Sequence, residues 1–220
     1  MEITRWRCAR PTTLLMAGVV MTTVLAAPAS AQTVSLHQAV TELPVADEDR
    51  TGYDRDAFRH WIDEDKDKCD TRKEVLIAEA TMESTQGDKC ALSEGQWYSY
   101  YDNKIQTVER ALDIDHMVPL AEAWDSGASD WTSDQRRAYA NDLGEERALV
   151  AVTAGENRSK ADKDPAEWLP PYEGALCQYV QDWVMVKLRW ELTVDTEEKT
   201  ELTKQAARCP DTEITFTSAL

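Results

Sequence analysis

The amino-acid sequence predicts one domain of mixed α+β class, extending roughly from residue 36 to residue 210. Short apolar strand candidates alternate with longer amphipathic segments, and no internal repeat or long linker divides the chain. A length of 220 residues suits one ordinary domain. Four cysteines beyond the N-terminal segment add the expectation of two disulfides that staple a mostly helical domain.

The individual elements follow from hydrophobic periodicity and from turn residues. Apolar residues at helical spacing favour helices over 53–62, 119–124, 132–143, 173–190 and 197–208. Alternating or continuous apolar residues favour strands over 96–102, 111–115 and 147–153. Residues 74–80 suit either a helix or a strand, and residues 87–95 are rich in turn formers.

The chain is strongly acidic, with 41 Asp and Glu against 24 Lys and Arg and a formal charge of −17. This balance excludes a generally basic nucleic-acid coat protein and a polybasic membrane-binding protein. Eight tryptophans supply large apolar surfaces, so the sequence does not predict intrinsic disorder.

Residues 1–31 have the three parts of a secretory signal peptide. Three arginines form a positive start, residues 14–27 are an apolar run too short for a membrane anchor, and Ala29-Ser30-Ala31 supplies a cleavage site. We therefore expect an extracellular protein whose mature form has a formal charge of −19 and does not bind membranes. Its oligomeric state is left open.

The rest of the chain divides by composition. Residues 32–47 are expected to be a polar N-terminal lead-in, residues 48–210 the functional domain, and residues 211–220 a frayed tail. An even number of cysteines in an exported chain predicts disulfides, and loop closure favours the local pairs Cys69–Cys90 and Cys177–Cys209. Zinc is the alternative, but the four cysteines form no C-x-x-C pair.

Of the three histidines, His116 has the surroundings that chemistry requires. It follows Asp115 in L-D-I-D-H-M-V-P-L, at the end of a predicted strand and before a helix that begins at a proline. A strand end holds a side chain rigidly at the rim of a cleft, where a neutral imidazole can take a proton from water. The adjacent carboxylate suits a hard cation. His37 and His60 are expected to be structural or solvated, because nothing titratable converges on them in the sequence.

A second segment completes this pattern. The strand predicted at 147–153 runs into G-E-N-R-S-K-A-D, where Asn157 offers a neutral oxygen ligand and Arg158 and Lys160 offer phosphate partners. A strand with Asp-His, a second strand and a helix with Asn and Lys have the order of a ββα-metal finger. The two segments resemble those of the HNH nuclease superfamily, including the HNH domain of RNA-guided CRISPR nucleases.

More closely, the chain resembles secreted actinobacterial HNH endonuclease family proteins, which are related to the DUF1524 domain of the GmrSD restriction enzymes. The resemblance extends over about residues 48–195. It includes R-T-G-Y-D-R, C-D-T-R-K-E-V-L, S-G-A-x-x-W, Y-A-N-D-L and D-P-A-E-W-L-P-P.

The resemblance implies a ββα-metal (HNH) finger embedded in the α+β domain, and a metal-dependent endonuclease that hydrolyses phosphodiester bonds of DNA or RNA. It makes His116 the general base and Asp115 and Asn157 the ligands of a divalent cation, Mg²⁺ with Mn²⁺ as a substitute. Asn141 is the candidate for the middle Asn of the finger, with a helix C-cap as the alternative. Lys160 is a further candidate, either for steadying the phosphate or as a surface charge.

Nucleic acid is the expected partner, and binding should be non-sequence-specific and sensitive to salt. Basic residues surround the motif despite the acidic total: Arg136, Arg137, Arg147, Arg158, Lys160 and Lys163. Arg72, Glu74, Arg147 and Arg158 are the candidate substrate contacts. Arg72 and Glu74 form a separate family-like pair, in which Arg72 contacts either a phosphate or a neighbouring carboxylate.

Two other functions are compatible with parts of the sequence. Asp63, Asp65, Asp67 and Glu74 match positions 1, 3, 5 and 12 of an EF-hand calcium loop, although Lys68 replaces the invariant glycine. A calcium-binding module is therefore one alternative, and a solvated acidic turn is the simpler reading of the same residues. A disulfide-stapled interaction module without catalysis is the other alternative.

Overall fold

The computed structural model describes residues 30–220, so the predicted signal peptide lies almost entirely outside the described residues. Within that range the chain forms seven α-helices: α1 (Leu36–Glu42), α2 (Thr71–Ala78), α3 (Leu120–Asp125), α4 (Ser133–Ala140), α5 (Ala154–Lys160), α6 (Leu176–Arg189) and α7 (Thr196–Ala206). Eight short strands accompany them: β1 (Gln32–Ser35), β2 (Thr85–Gln86), β3 (Leu92–Ser93), β4 (Trp97–Ser99), β5 (Lys104–Gln106), β6 (Leu112–His116), β7 (Leu149–Thr153) and β8 (Glu213–Phe216). The mixed α+β class predicted from the sequence is confirmed.

The strands form four separate two-stranded antiparallel sheets, in the pairs β1–β8, β2–β3, β4–β5 and β6–β7. In the β6–β7 pair, Leu112 lies opposite Thr153 and His116 lies opposite Leu149. All five residues of β7 are buried, because this strand is covered on both faces, and its run L-V-A-V-T has no polar residue before the last position. The chain passes directly from β7 into α5.

The main core is built around α6. Tyr179, Trp183 and Val184 of this helix are fully buried and pack with residues of α1, α3 and α7. A second, smaller cluster joins Val75 and Leu76 of α2 to alternate residues of β6 and β7. The β6–β7 pair therefore lies between the two apolar clusters, and each of its faces packs against a different one.

Two disulfides tie the helices to their surroundings. Cys69 is bonded to Cys90, and Cys177 to Cys209, which is the pairing predicted from loop closure. The second bond links the first turn of α6 to the segment after α7. Because all four sulfurs are used in these bonds, the alternative of a zinc site built from thiolates is excluded within the described chain.

Both terminal segments differ from the expected lead-in and frayed tail. Strand β1 pairs with β8 over four residue pairs, from Gln32 opposite Phe216 to Ser35 opposite Glu213. Leu36 and Val40 of α1 are buried in the main core. Alternating apolar residues in V-S-L and I-T-F are too few to reveal this pairing locally, since it forms between segments about 180 residues apart.

The helix predicted over 53–62 is wrong. Only a 3₁₀ turn, Arg55–Ala57, forms there, and Trp61 has a φ of +55°, which no right-handed helix accommodates. Of the ambiguous segment 74–80, residues 74–78 belong to α2, whose N-cap Asp70 accepts a hydrogen bond from the Lys73 amide. Among residues 30–220, no helix has the length and hydropathy needed to cross a bilayer.

Candidate functional site

The site predicted from the sequence lies on β6, β7 and α5, which follow one another as two antiparallel strands and a helix. Residues of β6 alternate between the two faces of the strand pair. Asp113 and Asp115 face α5, where their side chains meet Asn157, Arg158 and Lys160. Leu112 and Ile114 face the second apolar cluster, on the side of α2.

Asp115 is held in a buried ion pair. Its Oδ2 accepts hydrogen bonds from Lys160 Nζ at 2.7 Å and from the Tyr101 hydroxyl at 2.6 Å. Burial raises the pKa of this carboxyl, and the Lys160 ammonium acts in the opposite direction. The contact with Lys160 therefore stabilises the ionised carboxylate in a site where only 5% of the side chain is exposed.

Lys160 lies entirely inside the protein. Its ammonium also donates to the main-chain oxygens of His116 and Met117, each at 3.0 Å, and its exposed fraction is 0%. Lys160 is therefore not a surface charge, and all three protons of its ammonium have internal acceptors. Its geometric effect is to fix the end of β6, where His116 is located.

Asn157 contacts Asp113 and not Asp115, with which it is expected to share a cation. Its Nδ2 donates to Asp113 Oδ2 at 3.4 Å, and Arg158 Nε lies 3.3 Å from the same oxygen. The Arg158 side chain is 74% exposed, so it remains accessible to a ligand. Asp113 was not predicted to belong to the site, although its position two residues before Asp115 on a strand indicates that the two share a face.

His116 is buried, with 6% of its surface exposed, and does not lie at an open cleft rim as the sequence suggested. Its Nε2 is 3.0 Å from the main-chain oxygen of Ala140. A carbonyl oxygen only accepts hydrogen bonds, so Nε2 carries the proton and Nδ1 keeps the lone pair. Burial lowers the pKa of His116 to about 3, so the imidazole is neutral at physiological pH.

Aromatic rings surround the His116 imidazole. The ring centroid of Trp61 lies 5.4 Å away at an interplanar angle of 35°, and that of Tyr139 lies 6.3 Å away at 20°. The His60 ring is 6.5 Å away and nearly perpendicular. The charge of Arg55 contributes to the lowered pKa of His116. Sequence reasoning missed this group because it treated His60 and Trp61 as part of a helix.

Asn141 ends α4 as its C-cap residue, which is the alternative predicted for it. Its amide nitrogen donates to the main-chain oxygens of Arg59 and Arg137, and its Oδ1 accepts from the Ile62 amide and the Thr71 hydroxyl. With these bonds the side chain joins the segment before α2 to the end of α4. No spare polar atom is left for a metal ion.

The other predicted substrate contacts are engaged within the protein. Arg72 bonds to Glu109 and to the main-chain oxygen of Leu112, and Arg147 forms an ion pair with Glu145 at 2.7 Å. Arg72 therefore contacts a neighbouring carboxylate, which is one of the two contacts predicted for it. Burial and the charges of Asp67, Asp65 and Asp63 raise the pKa of Glu74.

Several acidic groups lie close enough to share a cation. Ligand atoms approach within 4.8 Å of one another in four groups: Asp63, Asp65 and Asp67; Asp67, Cys69 and Glu74; Glu48, Glu122 and Asp125; and Glu48, Asp164 and Asp195. Cys69 is bonded to Cys90 and is not available as a thiolate. In the part of the chain that the structure describes, none of the four groups contains Asp115 or His116.

A cavity of about 660 Å³ adjoins the site. It is lined by Ile62 and Asn141 among others, which directly follow Trp61 and Ala140 in the sequence. The described residues that line this cavity do not include Asp115, His116 or Asn157.

The site thus lies on a strand–strand–helix unit with an Asp-His pair on its first strand and an Asn on its helix, and the family that the chain matches over this unit is one of nucleases. The chain belongs to the family described as GmrSD restriction endonucleases, C-terminal domain, which matches residues 55–205. This match includes β6, β7 and α5 with all their predicted site residues.

An uncharacterised secreted protein of Arthroderma benhamiae is 40% identical to this chain over 182 residues, which cover 83% of this chain and 87% of the relative. The fungal source of this relative gives no support to an actinobacterial group within the family. No solved structure matches the chain.

Proposed function

We propose that the protein is an extracellular, metal-dependent HNH-type endonuclease that hydrolyses phosphodiester bonds of nucleic acids with little sequence specificity. The family match and the strand–strand–helix unit support the nuclease class. Two disulfides, and a relative described as a secreted protein, support the extracellular location.

The state of His116 is the observation that carries the proposal. Its Nε2 proton is committed to the Ala140 oxygen, which leaves the lone pair of the ring on Nδ1. Burial holds the pKa of the ring at about 3, so Nδ1 becomes an effective base only when the ring is opened to water. In the proposed reaction Nδ1 accepts a proton from the water that attacks phosphorus. The bond from phosphorus to the 3′ oxygen breaks, and this oxygen takes a proton from solvent water, which leaves a 5′-phosphate and a 3′-hydroxyl.

The residues around β6 and α5 fit a hard divalent cation in their chemistry. Asp115 and Asn157 are the proposed ligands, since a carboxylate and an amide oxygen are what Mg²⁺ and Mn²⁺ prefer. The amide nitrogen of Asn157 is directed at Asp113, so its oxygen is the atom left to bind a cation. Such a cation, when bound, neutralises charge on the phosphate and on the leaving oxygen.

Arg158 is the proposed phosphate contact, because it is the most exposed of the predicted cationic residues next to α5. Lys160 is proposed as a positioning residue, since it holds the main chain at His116 and the carboxylate of Asp115 from inside the protein.

The proposal is tested by plasmid cleavage with purified mature protein. Cleavage is expected with Mg²⁺ or Mn²⁺ and is expected to stop with a chelator. His116→Ala should lower kcat by at least about 10²-fold, the usual scale for loss of a general base. Equal cleavage by wild type and a folded His116→Ala variant would refute the mechanism.

The metal ligands need their own experiment. Asn157→Ala and Asp115→Asn should raise the Mg²⁺ concentration required for half-maximal cleavage. Asp63→Asn combined with Asp65→Asn is the matched control, because it removes two exposed carboxylates from an acidic group elsewhere in the protein. If the control changes the Mg²⁺ requirement and the two site variants do not, the assignment of ligands is wrong.

A further inference from the structure

Trp61 has an unusual backbone conformation next to His116. Its φ of +55° lies in the left-handed region, which bulky side chains rarely adopt. The chain is fixed on both sides of it: Phe58 is fully buried, and the Ile62 amide donates to Asn141 Oδ1 at 3.2 Å. The conformation of Trp61 is therefore imposed by its neighbours and not by its own preference.

The indole of Trp61 covers the imidazole of His116. The two ring centroids are 5.4 Å apart, and the planes are inclined by 35°. Trp61 is only partly buried, whereas His116 beneath it is buried. This places the indole between the imidazole and the outside of the protein.

Trp61 is also the neighbour of His116 that can move most easily. The Tyr139 hydroxyl is hydrogen-bonded to the main-chain oxygen of Val118, and its ring is buried. The indole nitrogen of Trp61 has no hydrogen-bond acceptor among residues 30–220, whereas those of Trp97 and Trp190 each donate to one. Moving the Trp61 side chain breaks no hydrogen bond of its own.

A general base must be reached by water and by the phosphate, and His116 is 6% exposed in the described conformation. We propose that Trp61 is a movable cover that controls access to His116 and is displaced when nucleic acid binds. The inference rests on the proposed function, and it assigns Trp61 the control of substrate access in that same site. Because neighbouring contacts fix the backbone, displacement of the indole needs only rotation about its side-chain bonds, and the left-handed φ of residue 61 stays as it is.

Access to His116 can be measured without any nuclease activity. Diethyl pyrocarbonate acylates unprotonated imidazole nitrogen, and peptide mapping by mass spectrometry reports the rate at each histidine. His37, whose side chain is 45% exposed and remote from the site, is the internal reference. In the wild type His116 should react much more slowly than His37.

Trp61→Ala and Trp61→Gly should each raise the rate at His116 relative to His37 by at least about tenfold, and Trp61→Phe should raise it less. Trp131→Ala is the matched control: this indole also packs on Tyr139, at 5.5 Å, but makes no ring contact with His116 among the described residues. A rate at His116 that is unchanged in all three Trp61 variants would overturn the proposal.

Folding of each variant is checked by its melting temperature, so that labelling of unfolded protein is not taken for opening. Trp61→Gly should melt at a higher temperature than Trp61→Ala, because glycine adopts a positive φ without strain. The reverse order would contradict a strained resting state. Because labelling does not require cleavage, the access proposal and the proposed function can fail separately.

Discussion

Burial of a neutral histidine makes the stability of the protein depend on pH in a way that can be calculated. His116 has a pKa of about 3 in the fold, against 6.5 for an ordinary histidine. The unfolded chain takes up a proton below about pH 6.5, whereas the folded chain does not until about pH 3. The contribution of His116 to stability is therefore fully present above pH 6.5 and is lost progressively as the pH falls.

The magnitude follows from the linkage of the two pKa values. Relative to pH 8, the loss from His116 alone amounts to about 2 kcal/mol at pH 5 and about 3 kcal/mol at pH 4. Buried carboxyls contribute in the opposite sense, because their pKa values are raised: that of Glu79 to about 7 and that of Asp182 to about 7. The effect of His116 must therefore be measured as a difference between two proteins.

Wild type and His116→Gln are compared by urea unfolding at pH 8, 7, 6 and 5, with tryptophan fluorescence as the signal. Gln does not titrate, so the difference in unfolding free energy should shift by about 2 kcal/mol in favour of the variant between pH 8 and pH 5. His37→Gln is the control for loss of an exposed histidine. A difference that stays constant over this range would refute the burial of a neutral imidazole at position 116.

Three further outcomes are expected. Lys160→Met should lower the free energy of unfolding by about 3–5 kcal/mol, because it leaves the Asp115 carboxylate buried without its partner. In urea unfolding, the double variant Lys160→Met with Asp115→Asn should regain part of that loss. Replacing Cys177 and Cys209 with Ser opens a loop with a sequence separation of 32 residues and should lower the melting temperature by roughly 10 °C. A plot of the logarithm of DNA affinity against the logarithm of salt concentration should have a slope of about −3 to −5. In Arg158→Ala that slope should be less negative by about 1, because one phosphate contact is lost. An unchanged slope in this variant would exclude Arg158 as a phosphate contact.

Much of the fold could be predicted because its elements carry strong local patterns. The buried run of β7, the amphipathic α6 and the two local disulfides are properties of neighbouring residues. The pairing of β1 with β8 could not be predicted, because four-residue strands at opposite ends of the chain have no local signal that selects a partner.

The candidate site was predictable in outline but not in its contacts. The Asp-His pair and the helix that follows β7 are visible in the sequence, and strand alternation would have added Asp113. The bonds from Tyr101 and Lys160 to Asp115 join residues 14 and 45 positions apart, so only the folded chain brings them together. The cover over His116 was missed because Trp61 adopts a conformation that its side chain disfavours.

The ladder between the first and last strands has a consequence for biosynthesis. A ribosome makes β1 first, and its partner β8 follows only about 180 residues later. Until β8 has emerged, the edge of β1 has unsatisfied amide and carbonyl groups, so the domain cannot complete its hydrogen bonding before then. A premature stop that removes the last strand leaves the same edge open, and such a product should be recognised by its rapid digestion by protease.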